Sequence, residues 1–408
     1  MKKKKIINDP VYGFLSIKSP LIYDVIQHPY FQRLRRIKQL GLTDFVYPGA
    51  LHTRFHHALG AMHLMGNCLE ELRRKGSEIS EDEYESALLA ILLHDIGHGP
   101  FSHALESSIL KGVHHERMSI LLMEYLNNEF GGKLSTAIQM FNNTYPRKFF
   151  HQLISSQLDM DRLDYLQRDC FFTGVIEGKV AFDRIIKMMD VNNDQVVIEQ
   201  KGIYSVENFL NARRLMYWQV YLHKTTVGTE QMLIQLIRRA KYLVQQGEDV
   251  FATSTLKLFL EKDIGVEDFN KDKYLSAFAA LDDFDIWGSI KDWVKHSDIV
   301  LSGLSEMLLN RKTFRVELTN EGQSPEKVAR IEKSIQQYYN ITEKDIPFLC
   351  TYGVISNSGY IPDNQNIMIK MKSGEIIDVA KASDLPNIEA LSKIVKKYYL
   401  CYPKVLSL

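Results

Sequence analysis

The sequence lacks the cysteine pattern of a disulfide scaffold or of a cysteine-based zinc site. Its four cysteines, Cys68, Cys170, Cys350 and Cys401, are widely scattered, and no two of them form a CxxC pair. Small secreted scaffolds and zinc ribbons need closely spaced cysteines. We therefore predict reduced thiols and a cytoplasmic location.

Long apolar runs and an excess of one charge are also missing. No run of 18 apolar residues predicts a membrane span, and the basic start "MKKKKII" lacks the apolar stretch of a signal peptide. Lys+Arg and Asp+Glu each number 50, so no global basic field favours nucleic acid as a partner. We expect no membrane partner, and any anion site must be built locally.

The 408 residues show no internal repeat and no low-complexity segment, and their periodicity is mostly helical. We predict helices at 29–41, 53–75, 81–95, 115–129, 150–168 and 206–245. The stretches "NDPVYGFLSI", "KTFRVEL", "IMIKM" and "EIIDVA" are typical of turns and strands. The prediction is a mainly α protein, with a helical core and N-terminal arm at 1–245 and a smaller C-terminal α+β region at 246–408.

The stretch "LLHDIGHGPFSH" places polar residues directly after an apolar helix. It contains His94, Asp95, His98 and His103 within ten residues. A single histidine there could be a hydrogen-bonded core residue, but so apolar a helix does not tolerate His94 and Asp95 without partners. The block therefore predicts a ligand set or a proton relay.

Two other segments can supply ligands for the same ion. His57 lies on the helix predicted at 53–75, and Asp161 lies in "QLDMDRLDYLQRD". Two imidazoles and two carboxylates, from His57, His94, Asp95 and Asp161, suit a divalent Zn, Mn, Fe or Ni ion. Such a set leaves coordination positions open for water and substrate.

Two helical stripes could complete the cavity. Asp161, Tyr165 and Asp169 are spaced four residues apart and share one face. A second stripe combines cations and phenols that suit a polyanionic ligand, and its members are Arg213, Tyr217, Tyr221 and Lys224. A solvated face or an ordinary interface is the plainer interpretation of each stripe.

The motifs "RFHHALG", "HDIGHGPFSH" and "DMDRLDYLQRD", in this order, resemble those of the HD-domain phosphohydrolases. Within that family the chain is similar to the deoxynucleoside triphosphate triphosphohydrolases, in the branch of the SAM-and-HD-domain enzymes. The resemblance runs from "INDPVYGFL" to "YLHK" at 221–224 and fades afterwards, with "NRKTFRVEL" as a later match.

The resemblance implies an all-α HD core in which His57, His94, Asp95 and Asp161 bind the metal, with Mg²⁺ a candidate companion of the nucleotide. It implies hydrolysis of a dNTP to deoxynucleoside and inorganic triphosphate, with attack at the α-phosphate. It also implies an activating nucleotide and a homo-oligomer, either a dimer or a tetramer.

The resemblance assigns further residues one by one. Arg54, Arg162 and Arg213 would contact phosphates. Gln39 and Asp169 would recognise the 3′-hydroxyl, while Tyr165 and Tyr221 would line the sugar pocket, with Tyr221 excluding a 2′-hydroxyl. His98 would lie by the α-phosphate, and His103 would protonate the leaving group with support from Glu106 and His115.

The chain also departs from the family pattern. Glu106 replaces an aspartate, and Arg162 replaces a phosphate-contacting lysine. A regulatory nucleotide site is matched only in part, by Lys5, Asn8, Gln32, Arg35, Arg311 and Arg315. Gln27 stands where an acidic residue would recognise guanine, which argues against a unique requirement for GTP. Solvated surface charge is the plainer interpretation of the four cations in this set.

Three alternative functions stay open at this point. One is an HD-type phosphatase or phosphodiesterase acting on another nucleotide, and a second is a non-catalytic nucleotide sensor. The third is a nuclease or single-strand binder, which the neutral charge and the lack of a continuous basic aromatic groove disfavour. Analysis of the reaction products would separate all of them.

Overall fold

The computed structural model describes residues 5–101, 103–110, 112–357, 360, 366–385 and 393–405, with only the backbone of 103, 107 and 270. The prediction of a mainly α fold with small C-terminal sheets is confirmed. The α-helices are α1 (Pro20–Gln27), α2 (Pro29–Gln32), α3 (Arg54–Arg74), α4 (Glu81–Leu93), α5 (His103–Ile109), α6 (His115–Glu129), α7 (Ser135–Phe141), α8 (Phe149–Ile154), α9 (Met160–Thr173), α10 (Phe182–Met188), α11 (Ile203–Met216), α12 (Lys224–Gln245), α13 (Ser254–Glu261), α14 (Asp272–Ala280), α15 (Asp283–Trp293), α16 (Ile299–Leu309), α17 (Pro325–Tyr339) and α18 (Val379–Ala382).

The strands form three small sheets. They are β1 (Lys5–Asp9), β2 (Gly13–Ile17), β3 (Met189–Asn192), β4 (Gln195–Glu199), β5 (Arg315–Thr319), β6 (Thr351–Asn357), β7 (Met368–Lys370), β8 (Ile376–Asp378) and β9 (Val395–Tyr402). Their orders are β1-β2, β3-β4-β7-β8 and β5-β9-β6. Only the β4–β7 pairing is parallel among the described strands.

The β3–β4 hairpin corrects the expectation of an all-α core in the first 245 residues. Its strand β4 pairs with β7, which comes from the C-terminal region, from Val197 opposite Met368 to Glu199 opposite Lys370. One hydrophobic cluster likewise includes residues from both sides of position 245. The two parts therefore pack together, and the domain division at 245/246 stays a prediction.

Three predicted helices are interrupted. The helix expected at 150–168 is two helices, because the Asp159 carboxylate accepts the backbone N–H groups of Ser156 and Arg162 and caps a new start for α9. The helix expected at 206–245 is divided by a π-helical turn at Tyr217–Tyr221.

The third interruption falls in the helix expected to run to Gly41. There α2 ends at Gln32, a 3-10 turn covers Arg33–Arg36, and Lys38 then forms an antiparallel bridge with Thr53. The buried Arg33 guanidinium donates to the carbonyls of Leu281 and Ile96 at 3.0 and 2.8 Å. Burial lowers the pKa of Arg33 to about 10. Tertiary hydrogen bonds thus replace the helix that local periodicity favours.

Helix α3 packs against both α4 and α9, and small residues allow the close approach. A β-carbon on Gly60 of α3 would overlap the side chains of Asp164 and Arg168 on α9. A β-carbon on Gly97, after α4, would overlap the backbone of α6 at His115 and Ser119. Glycine is required at both positions by space rather than by backbone conformation.

All four cysteines are buried, free thiols. Among the residues that the structure describes, no helix has both the length and the apolar character needed to cross a membrane.

The Gly60 contact generates a stability prediction. Gly60→Ala should lower the free energy of unfolding by at least about 2 kcal/mol, because the added methyl group is forced into a tightly packed ion pair. Gly303 lies inside α16 with no atom near the position of an added β-carbon. Gly303→Ala should therefore raise stability by about 0.5–1 kcal/mol, since alanine is the better helix former. Urea unfolding measures the free energy of unfolding of both variants. Equal changes in Gly60→Ala and Gly303→Ala would contradict the proposed overlap.

Candidate active site

Three side chains from separate helices converge on one point. They are His57 on α3, His94 at the end of α4 and Asp161 on α9, and one ligand atom from each lies within 4.8 Å of the others. The Asp161 Oδ1 atom is 3.1 Å from His57 Nε2 and 3.5 Å from His94 Nε2. Ligands about 2.1 Å from one ion lie roughly 3.3 Å apart. The donor set and its spacing therefore fit a divalent transition metal.

Asp95, the fourth predicted ligand, lies beside this cluster. Its Oδ1 atom is 3.4 Å from His94 Nε2, and its Oδ2 atom is 3.8 Å from His57 Nε2. The buried Arg54 guanidinium pairs with Oδ2. All four predicted ligands therefore meet at one place, with a cation next to them.

Hydrogen bonds behind the two histidines point both Nε2 atoms into the cluster. His57 Nδ1 is 2.8 Å from Asp164 Oδ2, and His94 Nδ1 is 2.6 Å from the Ile91 carbonyl. Both partners are acceptors, so in the neutral imidazole that binds a metal each Nδ1 carries the proton and each Nε2 presents a lone pair. A carboxylate or carbonyl behind a histidine in this way is typical of metal sites.

Asp164 belongs to a buried ionic chain. Arg168 donates to Asp164 through Nε at 2.9 Å and to Asp9 through Nη1 at 2.8 Å. Asp164 and Arg168 are fully buried, and Asp9 is 3% exposed. The ion pair satisfies the carboxylate that orients His57, and it connects α9 to the β1–β2 hairpin.

The pKa shifts describe a pocket that favours a bound cation. Burial raises the pKa of Asp161, but hydrogen bonds from His57 and His94 outweigh burial and hold it well below its usual range. Burial lowers the pKa of His57, yet its bonds to Asp161 and Asp164 raise the value to about 10. Without a metal, a proton takes the place of the positive charge among these carboxylates.

The residues proposed for acid–base chemistry lie beside Asp95. His98 Nε2 is 3.3 Å from Asp95 Oδ1, and the His98 ring stacks on His115 at 4.0 Å. Burial, and then the charge of Arg54, hold the pKa of His98 well below its usual range. Glu106 accepts the backbone N–H of His115 at 2.7 Å. The side chain of His103 lies outside the described residues, and its backbone begins α5.

Aromatic and polar side chains continue from the cluster along α9. Tyr165 and Tyr221 meet edge to face, with ring centroids 6.1 Å apart. The Tyr221 hydroxyl donates to Asp169 Oδ2 at 2.7 Å. Gln39 lies on the strand-like segment that pairs with residue 53 and donates its backbone N–H to the His52 carbonyl at 3.0 Å. The described contacts therefore join Tyr221 to both Tyr165 and Asp169, and they join Gln39 to His52 through the backbone.

Cations lie near the metal-type cluster. Arg162 Nη1 is 3.6 Å from Asp161 Oδ2 and 3.7 Å from Asp159 Oδ2. Arg213 is buried and donates to the Gln157 amide oxygen at 3.0 Å. With Arg54, these side chains supply positive charge beside the cluster.

Four features of the site escaped the sequence analysis. His52, Asp164 and Arg168 were not singled out, and the π-helical turn was not expected. The spacing in "DMDRLDYLQRD" held a signal, since Asp164 and Arg168 are four residues apart and suit an ion pair. The π-helical turn places Tyr217 against Tyr221, with centroids 5.1 Å apart, and such turns often occur at functional sites.

A distant carboxylate holds two segments that border the site. Asp283, at the start of α15, accepts the backbone N–H groups of Phe101 and Lys38 at 3.0 and 2.9 Å. Phe101 has a positive φ of 52° and packs edge to face on Trp287. The loop between α4 and α5 is thus fixed by the C-terminal part of the chain.

The predicted regulatory residues fall into two groups, and the first is near the N-terminus. Arg35 donates to the Gln32 side chain at 2.9 Å and stacks on the Phe55 ring at 3.6 Å. Lys5 lies over the Tyr23 ring, and Asn8 lies in the β1–β2 hairpin.

The second group is C-terminal. Arg311 donates to the Phe45 carbonyl at 2.9 and 2.7 Å. Burial lowers the pKa of Lys404, and the charges of Arg311, Arg315 and Lys224 lower it further. These three cations therefore lie close enough to Lys404 to oppose its charge, a property that suits an anion site.

Two family models match the chain. One described as HD domain matches residues 54–169, and one described as HD associated region matches residues 180–257. The first range contains all four predicted metal ligands.

Relatives and solved structures extend the similarity. A crystal structure of a phosphohydrolase from Bacteroides thetaiotaomicron has a TM-score of 0.95 and 52% identity, covering 98% of this chain and 100% of that one. The uncharacterized protein YwfO of Bacillus subtilis is 31% identical over 100% of this chain and 94% of its own length. The deoxynucleoside triphosphate triphosphohydrolase SAMHD1 homolog of Dictyostelium discoideum is 34% identical over 61% of this chain, which spans 52% of that protein.

The ligand cluster generates a prediction about metal content. Purified protein should carry about one transition metal ion per chain, and Asp161→Ala should lose it, because Asp161 contacts both imidazoles. Asp292→Ala, an exposed position on α15, is the matched control and should keep the metal. Plasma emission spectroscopy of both variants gives the number of metal ions per protein chain. Full metal occupancy in Asp161→Ala would contradict the assignment of this ligand.

Proposed function

The chain belongs to the HD-domain phosphohydrolases, and on that premise we propose that it hydrolyses deoxynucleoside triphosphates to deoxynucleoside and inorganic triphosphate. The observation that carries the proposal is that the metal-type cluster and the proposed sugar-binding residues lie next to each other on one helix. The metal-type cluster at Asp161 and the proposed sugar pocket of Tyr165 and Asp169 follow one face of α9. A phosphate at the cluster would place its attached sugar at the pocket.

The donor set of His57, His94, Asp95 and Asp161 fits a divalent metal. When bound, such an ion supplies Lewis acidity to a phosphoryl group and to water. Arg54, Arg162 and Arg213 are proposed to neutralise the phosphate oxygens, whose negative charge would otherwise oppose attack. Guanidiniums suit that task because they stay charged, and those of Arg54 and Arg213 are buried and already oriented.

The leaving group of this reaction is a 5′-alkoxide, which needs a proton. We assign that proton to His103, one helical turn before Glu106 on α5. Glu106 contacts His115, with its carboxylate 3.4 Å from Nδ1. A carboxylate among histidines favours the protonated form of a neighbouring imidazole. General acid catalysis of this kind contributes roughly 10²–10⁴-fold to the rate.

Two other functions remain candidates. A different HD hydrolase would use the same cluster on a monophosphate or a cyclic dinucleotide, and a nucleotide sensor would use it for binding alone. The pocket formed by Tyr165 and Tyr221 beside the cluster favours a sugar there, but the released product decides. Inorganic triphosphate, orthophosphate, an opened dinucleotide or no product at all are distinguished by anion-exchange chromatography.

The sugar pocket generates a prediction about substrate choice. The kcat/KM for dATP should exceed that for ATP by at least about tenfold, because Tyr221 is proposed to pack against the sugar at the position where a 2′-hydroxyl would lie. Tyr221→Ala should reduce this preference by removing that contact. Tyr204→Ala, an exposed tyrosine on α11, is the control and should leave the preference as it is. Comparable values for dATP and ATP in the unmodified protein would contradict the pocket assignment.

We further propose that a nucleotide bridges subunits of a homo-oligomer. The N-terminal group at Lys5 and Arg35 and the C-terminal group at Arg311 and Arg315 lie on different elements. A triphosphate shared between the two groups would shift the population towards an active assembly. Gln27 offers no carboxylate for a guanine, so GTP should not be uniquely required.

The bridging proposal predicts an effect on assembly. Added dNTPs should raise the assembly mass and give sigmoidal kinetics, and the double change Arg311→Ala with Arg315→Ala should flatten that response while the metal stays bound. Lys312→Ala is the matched control, since this neighbouring lysine pairs with Glu306 at the surface. Light scattering and initial rates are the measurements. Hyperbolic kinetics in a constitutive oligomer, unchanged by the double substitution, would remove the regulatory proposal alone.

A further inference from the structure

His52 is a buried histidine to which neither the metal cluster nor the proposed acid–base groups assign a task. It is 1% exposed, and its Nε2 atom is 2.7 Å from Asp169 Oδ1. Its ring stacks on Phe172 with centroids 4.5 Å apart and an interplanar angle of 18°. The imidazole is therefore fixed by one hydrogen bond and one ring face.

The two oxygens of Asp169 receive donors from different parts of the chain. His52 contacts Oδ1, and the Tyr221 hydroxyl donates to Oδ2 at 2.7 Å. Two such bonds set the orientation of the carboxylate group. Each carboxylate oxygen retains a second lone pair, so Asp169 can still accept a further hydrogen bond.

Two buried acceptor atoms, on residues whose backbones are hydrogen-bonded to each other, have no hydrogen-bond partner among the described residues. They are the Gln39 side-chain oxygen and His52 Nδ1. If Nε2 donates to Asp169, Nδ1 is left as an acceptor. A buried acceptor without a partner costs free energy, and a ligand hydroxyl is a donor that could remove this cost at Gln39.

We propose that His52 is a positioning residue: it holds the Asp169 carboxylate so that Asp169 accepts a hydrogen bond from the 3′-hydroxyl of a deoxyribose. The inference rests on the proposed dNTP substrate and adds the reason why the chain would select a free 3′-hydroxyl. His52 itself does not touch the sugar. It acts through Asp169, as Asp164 acts through His57 on the other side of α9.

A positioning role and a structural role of His52 predict effects on different sets of substrates. Loss of a purely structural histidine would slow every substrate to the same extent. Loss of a histidine that orients Asp169 would slow substrates with a 3′-hydroxyl and spare those without one. The ratio of kcat/KM for dATP to kcat/KM for 2′,3′-dideoxy-ATP therefore isolates the proposed role.

The test uses three substitutions at position 52 in the full, metal-loaded protein. His52→Phe keeps a ring to stack on Phe172 and removes the donor. His52→Gln places an amide N–H near the former Nε2 position, and His52→Asn carries the same amide on an arm that is too short. The glutamine and asparagine pair provides the comparison even if His52→Phe does not fold.

We expect the unmodified protein to prefer dATP by at least about a hundredfold, because a site built around a hydroxyl rejects an analogue that lacks it. His52→Phe and His52→Asn should reduce that preference by about tenfold, the effect of one hydrogen bond to a charged group. His52→Gln should restore most of it. The control His151→Phe removes a half-buried imidazole that bonds to the Met140 carbonyl on distant helices, and it should leave the ratio unchanged.

Three results would overturn the inference, and they differ from one another. Equal losses on both substrates in His52→Phe and His52→Asn would make His52 a structural residue. Cleavage of dATP and 2′,3′-dideoxy-ATP at the same rate by the unmodified protein would remove the hydroxyl site but leave the proposed reaction standing. If the metal-loaded protein releases no triphosphate from dATP, the proposed function fails and the inference fails with it.

Discussion

The buried ionic chain from Asp9 through Arg168 and Asp164 to His57 is the constraint on which the rest of the site depends. A charged group removed from water must be paired, because an unpaired buried charge costs several kcal/mol. Arg168 satisfies two carboxylates at once, and one of them orients the imidazole of His57. The requirement explains a glycine at position 60, where any side chain would occupy the space of the ion pair. It also explains why an N-terminal hairpin belongs to the site: Asp9 closes its own turn by accepting the backbone N–H groups of Val11 and Tyr12.

The loop that follows α4 is held from two directions. Ser119 on α6 donates to the His94 carbonyl at 2.7 Å and accepts the Gly97 N–H at 3.0 Å. Asp283 holds Phe101 further along the same loop, and Arg33 ties the Ile96 carbonyl to the carbonyl of Leu281. Burial raises the pKa of Asp283 to about 6, yet its two backbone donors favour a carboxylate. The C-terminal part of the chain therefore contributes shape rather than metal ligands to the site.

The sequence predicted those parts of the site that depend on local spacing. His94 and Asp95 follow the apolar helix α4, and Asp161 starts a stripe along α9. Short-range patterns therefore identified these three residues. His52 was missed because its partner Asp169 is 117 residues away and nothing near position 52 marks it. The helix expected up to Gly41 was wrong for the same kind of reason, since Arg33 and Lys38 bond to distant segments. Arg33 donates to carbonyls at Ile96, Phe278 and Leu281, and the backbone of Lys38 donates to Asp283. Periodicity reports what a segment can bury, and it does not report hydrogen bonds from distant segments.

The buried histidines of the site have different roles because their Nδ1 atoms have different partners. A carboxylate behind His57 and a carbonyl behind His94 leave a lone pair facing the cluster, which suits a metal ligand. In His52 the carboxylate lies in front, and the nitrogen behind it has no partner among the described residues. The Nε2 atom of His52 therefore donates a hydrogen bond to Asp169 and has no lone pair with which to bind a metal. His52 and His57, five positions apart, thus serve different parts of the proposed site: His57 faces the metal cluster, and His52 faces Asp169. In the neutral imidazole, the nitrogen that carries the proton decides whether Nε2 can bind a metal or donates a hydrogen bond.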